Sequence, residues 1–156
     1  MTYGGWLTIA VLLPNLLWVL FPAPSQKGSA VETRSRWVTV VQVIERFGQA
    51  AIFILPFFYQ MQVSSAGDAV CLALLLITLA GYYAGWWRYF RRDRQPVWLH
   101  RRLLGLPLPM NILPACSFLC GAVLMRSPYL AAAAILFGMA HVFMGNYEHR
   151  QLEPAS

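Results

Sequence analysis

"VVQVIERFGQAAIFILPFF", residues Val40–Phe58, decides the fold. Its second half is apolar without a break, yet Gln42, Glu45, Arg46 and Gln49 interrupt the first half. A charge placed in hydrocarbon is costly, so each one needs a partner, an aqueous cavity or an interface close by. Gln42, Glu45 and Gln49 recur at spacings of three and four, in step with Val38, Ile52, Pro56 and Tyr59. That spacing makes one stripe of a helix, and a polar stripe is expected to face other helices rather than lipid. Arg46 lies about 100° around the helix from Glu45, so the two do not pair on their own helix. Glu45 is expected to meet His141 or the asparagines described below, and Arg46 to reach toward water.

The rest of the chain has the same character. Of its 156 residues 58% are hydrophobic and 12% charged, with a mean hydropathy of +0.53; a soluble domain carries about 25% charged residues. The apolar residues fall in long blocks, and five spans can be drawn: Gly5–Phe21, Trp37–Tyr59, Ala69–Trp87, Leu106–Met125 and Tyr129–Tyr147. Each approaches the roughly 20 residues that cross about 30 Å of hydrocarbon. Lipid offers no partner to an open backbone group, and the alternation of a barrel strand is missing, so the spans must be helices. The fold class expected is all-α, a polytopic transmembrane helix bundle forming a single domain over 1–156. The first span lacks the basic flank of a signal peptide and is expected to be retained.

Orientation follows from the basic residues. Lys27, Arg34 and Arg36 lie in the first long loop, Arg88, Arg91, Arg92, Arg94, Arg101 and Arg102 in the second, and Arg150 in the tail, whereas the opposite side holds Arg126 alone. Positive loops stay in the cytoplasm, which puts the N-terminus outside and the C-terminus inside. The six arginines beside Trp86, Trp87 and Trp98 read as a membrane–water boundary, so the net charge of +6 speaks against nucleic acid and for lipid. Within that loop "QPVWLHRRLLG", residues 95–105, alternates apolar and basic positions. It reads as a short interfacial helix attracted to anionic lipid near Arg88–Arg102, or as a loop that only sets topology.

The other spans also carry polar residues. Asn15 follows Pro14, Asn111 precedes Pro114 by three positions, and His141 shares a stripe of small and polar residues with Ala134, Gly138, Gly145 and Glu148. At 1.5 Å per residue from the basic ends, Asn15, Asn111 and His141 come roughly 9 Å deep, and Glu45 with Arg46 roughly 12–14 Å. Tyr82 and Tyr83 fall at a similar level. Asn15, Gln42, Glu45, Arg46, Gln49, Asn111 and His141 thus form one candidate ligand-binding layer in the cytoplasmic half. Pro14 and Pro114 would free backbone carbonyls beside it. Two other readings compete: a buried network that fixes helix register, and a helix starting in the interface so that Arg46 snorkels to water.

No motif for hydrolysis, phosphate binding or metal chemistry is present. Cys71, Cys116 and Cys120 lie within apolar spans and read as small buried hydrophobes, so no cofactor or metal is expected. The pieces "LLPNLLW" (Leu12–Trp18), "ERFGQ" (Glu45–Gln49), "NILPACSFLCG" (Asn111–Gly121) and "AILFGMAHVFMGNYE" (Ala134–Glu148) together resemble a family of small bacterial five-helix inner-membrane proteins. The resemblance implies a bacterial cytoplasmic-membrane location, and that family brings no assigned activity. The functional expectation is a membrane protein that binds or passes a small polar solute or a proton, as a homo-oligomer if it transports. Its competitor is an accessory protein whose polar layer only orders its helices.

Overall fold

The computed structural model describes residues 2–21, 35–95, 97–103 and 105–152, with the side chains at 2, 97, 100, 149, 151 and 152 outside that description. The helices are α1 (Gly5–Leu20), α2 (Arg36–Ile54), α3 (Ala66–Arg91), the single turn α4 (Val97–His100), α5 (Pro109–Leu124) and α6 (Pro128–Leu152). The expected all-helical architecture is present. Arg36–Phe58, Ala66–Arg91 and Pro128–Glu148 are long and apolar enough to cross a membrane, by length and composition. Helices α1 and α5 are apolar but shorter, at 16 residues each, or about 24 Å.

Local chemistry moves several helix ends from where hydropathy puts them. Helix α3 starts at Ala66 rather than Ala69 because Ser65 and Asp68 build a capping box. The Asp68 amide donates to Ser65 Oγ at 3.1 Å, and the Ser65 amide to Asp68 Oδ2 at 3.0 Å, which satisfies two open donors reciprocally. Helix α5 starts at Pro109 rather than Leu106. A residue before proline is pushed out of the helical region, and Leu108 takes φ +47°. Helix α2 stops at Ile54, and Leu55–Phe58 tightens into a 3-10 turn with Pro56 in its first turn. Among the described residues of the expected interfacial helix, Val97–His100 is helical. Lys27 and Arg34, which contributed to the orientation argument, lie outside the described residues.

A non-helical feature joins distant parts of the chain. Thr2–Tyr3 (β1) pairs antiparallel with Gln60–Met61 (β2), Thr2 opposite Met61 and Tyr3 opposite Gln60. The Gly4 amide donates to the Tyr59 carbonyl at 2.9 Å, and the Gln62 amide to the Leu124 carbonyl at 2.9 Å. One end of the bundle is therefore stitched shut. Arg126, at φ +50° between α5 and α6, adds an ion pair to Asp68 at 3.2 Å on the same end.

Helix α5 is central, packed between α3 and α6, and α2 covers the other side of α6. The α2–α6 crossing is close because Gly48 presents no side chain: a Cβ there would stand 3.1 Å from the Phe137 backbone. Helix α1 leans across α2, α3 and α5 with fewer contacts. Leu7, Thr8 and Val11 of α1 are buried, whereas every residue from Leu16 to Phe21 is exposed. The fully buried side chains Leu7, Ile52, Leu75, Phe118, Leu124 and Leu130 make the core. Outward faces carry Phe47, Ile77, Leu136 and Met139, all exposed. So broad an apolar surface suits lipid and would be a liability in water.

Candidate functional site: a polar cavity between the helices

Away from the stitched end, hydrogen bonds between helices run through polar side chains. Pro14 has no N–H, so the carbonyl four residues earlier, Ala10, loses its helical donor. The Tyr83 hydroxyl donates to that carbonyl at 2.7 Å. One residue on, Asn15 Nδ2 donates to Val11 O and to the Tyr82 hydroxyl, both at 2.9 Å. Two tyrosines of α3 thereby hold the proline-interrupted turn of α1. The freed carbonyl expected from Pro14 is real, and its partner is a tyrosine rather than a member of the candidate layer.

The second cluster joins α2, α5 and α6. His141 Nδ1 stands 2.5 Å from Glu45 Oε1. With Glu45 ionised the ring donates from Nδ1, which leaves Nε2 as the open nitrogen. The ring stacks on Phe137, with centroids 4.7 Å apart and planes 21° apart. Asn111 Nδ2 donates to the His141 carbonyl at 2.8 Å. This approach needs Gly145, since a Cβ at that position would fall 2.5 Å from Asn111 Nδ2. The small-residue stripe of α6 is thus what lets an α5 amide reach the α6 backbone. Further along α3 and α5 the Thr78 and Ser117 hydroxyls share a hydrogen bond of 2.9 Å.

Both clusters border a cavity of about 250 Å³. Its polar wall is Asn15, Gln49, Asn111, His141 and Glu148; Trp18, Phe53, Tyr82, Trp86, Phe118 and Phe137 form an aromatic lining. Val11, Ile52, Leu99, Met110 and Pro114 complete it, so α1 to α6 all contribute. The volume lies just below the roughly 300–1,000 Å³ of pockets for drug-sized ligands.

The seven sequence candidates divide into three groups. Asn15, Gln49, Asn111 and His141 line the cavity. Glu45 stands behind His141 and acts on the cavity through it. Gln42, half-buried and engaged in a contact of its own, lies outside the wall, and Arg46 sits on the exposed side of α2 next to exposed Phe47. A helix that turns Glu45 inward necessarily turns its neighbour away.

Four wall residues that carry a hydrogen-bonding side chain were absent from the sequence candidates: Trp18, Tyr82, Trp86 and Glu148. Helical spacing held the signal. Trp18 is three residues after Asn15, Trp86 four after Tyr82, and Glu148 seven after His141. Among the described residues no three His, Cys, Asp or Glu side chains are placed to hold a metal ion. Comparison with known proteins gives no matching family model, no matching curated protein and no matching solved structure, so the site is interpreted from its own geometry.

Proposed function

We propose that this chain is a five-span protein of a bacterial cytoplasmic membrane, N-terminus outside, whose cavity binds or passes a small polar solute or a proton from the cytoplasmic half. The observation that carries the proposal is the cavity itself, where polar groups from α1, α2, α5 and α6 converge within an aromatic wall. The buried Trp86 indole N–H makes no full hydrogen bond among the described residues, which leaves donor capacity that a solute or water in the site would satisfy. Among the described residues the wall contains Glu148, with Glu45 behind it, and no lysine or arginine, which favours a neutral or cationic solute over an anion. The Glu45–His141 contact places an acid and an imidazole in hydrogen-bond contact at the cavity wall.

A second reading has its own support. Asn15 Nδ2 already binds the Tyr82 hydroxyl of α3 as well as the Val11 carbonyl of its own helix, and Asn111 Nδ2 binds the α6 backbone, as a network that only fixes register would require. Water access separates the two. In a background with Cys71, Cys116 and Cys120 replaced by Ser, a cysteine at Gln49 or His141 should react with a small polar thiol reagent in folded protein. If neither position reacts while an exposed control such as Val63→Cys does, the cavity is dry and the register reading stands.

A further inference from the structure

Arginine is concentrated where α3 ends: six arginines fall between residues 88 and 102 against a single acid, Asp93. Arg88 and Arg94 are half-buried and the other four exposed, and Arg88 is set apart by what it binds. Its Nη2 donates to the carbonyls of Trp98 and Arg101, each at 2.7 Å, and its Nη1 to that of Arg102 at 2.8 Å. One guanidinium thus gathers a carbonyl of α4 and two just beyond its end, and ties that turn to α3. Around the Trp98 ring stand Arg101 at 4.8 Å, Arg92 at 4.9 Å and Arg88 at 5.9 Å from its centroid.

Each contact is an ordinary cation–π attraction, but like charges gathered on one ring repel one another. The two ion pairs described, Asp68–Arg126 and Glu45–His141, are both elsewhere. The backbone is strained as well. Asp93 and Arg94 are consecutive non-glycine residues at φ +53° and +55°. The fold tolerates repulsion and strain together, and the result is a pair of exposed guanidiniums, Arg92 and Arg101, held at one aromatic platform. An anion bridging them offsets the repulsion.

The surroundings name the anion. The segment follows Ala66–Arg91, a helix long and apolar enough to cross a membrane. Trp87 is 65% exposed at its end, with Arg91 5.5 Å from its ring centre. Tryptophan beside arginine marks headgroup level, where phosphate is the abundant anion. We infer that Arg92 and Arg101, organised on Trp98, hold the phosphate of an anionic phospholipid. Planar guanidiniums suit phosphate because each offers a fork of donors, which lysine does not. This inference is independent of what the cavity binds.

The test uses native mass spectrometry of the full chain in detergent, titrated with dioleoylphosphatidylglycerol or dioleoylphosphatidylcholine. The parent should retain the anionic lipid in preference to the zwitterionic one, and R92Q/R101Q should lose about fivefold in affinity for each arginine removed. R126Q, at the stitched end, should behave as the parent. R92K/R101K keeps the charge but loses the fork, so its retention should fall between parent and R92Q/R101Q. Equal retention of both lipids by the parent overturns the inference. So does parent-like binding by R92K/R101K, which would reduce the site to diffuse charge. Glycerol 3-phosphate binding as tightly as the lipid overturns it too, because the occupant would then be a soluble phosphate ester.

Discussion

At the scale of single residues, His141 is held on three sides: Glu45 holds its ring nitrogen, Phe137 its face, and Asn111 its carbonyl. Asn111→Ala removes one interhelical hydrogen bond and should cost about 1 kcal/mol, read by unfolding titration in mixed micelles. Gly145→Ala should cost at least as much, because its methyl group meets the Asn111 amide and Asn111 has to leave its site. A double-mutant cycle of Glu45→Gln with His141→Gln should show a coupling of about 1 kcal/mol; additive losses would mean that the two side chains do not interact in solution. The Glu45 and His141 positions were legible in the sequence because polar residues at spacings of three and four stand out in an apolar run. The Tyr83 bond to Ala10 was not. A tyrosine near a span end reads as an interfacial anchor, and nothing in its sequence context says which carbonyl a distant proline has released.

At the scale of elements, hydropathy located every long helix, and proline and capping chemistry then set the ends. Pro107 and Pro109 were visible in the span drawn from Leu106, and their consequence, a helix beginning at Pro109, follows from proline geometry. The order of packing was less visible. Gly138 and Gly145 announce a close approach by α6, but Gly48 sits among polar residues in "ERFGQ", where its neighbours attract the eye. It is the point at which α2 meets the α6 backbone. Gly48→Leu should push α2 away and destabilise the bundle by about 1–3 kcal/mol, with Gly48→Ala milder. A wild-type midpoint for Gly48→Leu would mean that the crossing is looser than the structure has it.

At the scale of the whole molecule, the two ends of the bundle are unlike. One is closed by the β1–β2 pair, the Asp68–Arg126 ion pair and the buried contacts of Leu7; toward the other, α1 separates and its last residues are exposed. Gly4 is a close point at the closed end, since a Cβ there would meet Met125 and the Pro56 carbonyl. Gly4→Val should therefore loosen all of α1, and a cysteine at fully buried Leu7, away from the cavity wall, should become reactive in that background while remaining protected in the parent. Continued protection would show that α1 is held chiefly by the Asn15 and Tyr83 bonds. Hydropathy and basic residues describe a chain in a membrane, but they carry no sign of a two-residue ladder. Its pairing is made by backbone groups, which every sequence possesses.

That ladder also has a consequence for the order of assembly. Residues 2–3 have no strand partner until residues 60–61 have been made, and the Gln62 amide needs the Leu124 carbonyl. Long-range pairings of this kind form late, because loop closure must precede the contact. During synthesis α1 therefore emerges before its partners, and its docking is complete only once α2, α3 and α5 have followed. A chain truncated before α5 should keep the bonds of α1 to α2 and α3 but lose the Leu7–Gly121 contact, and a ribosome-stalled series cross-linked between Leu7 and Gly121 would time the moment at which the bundle closes.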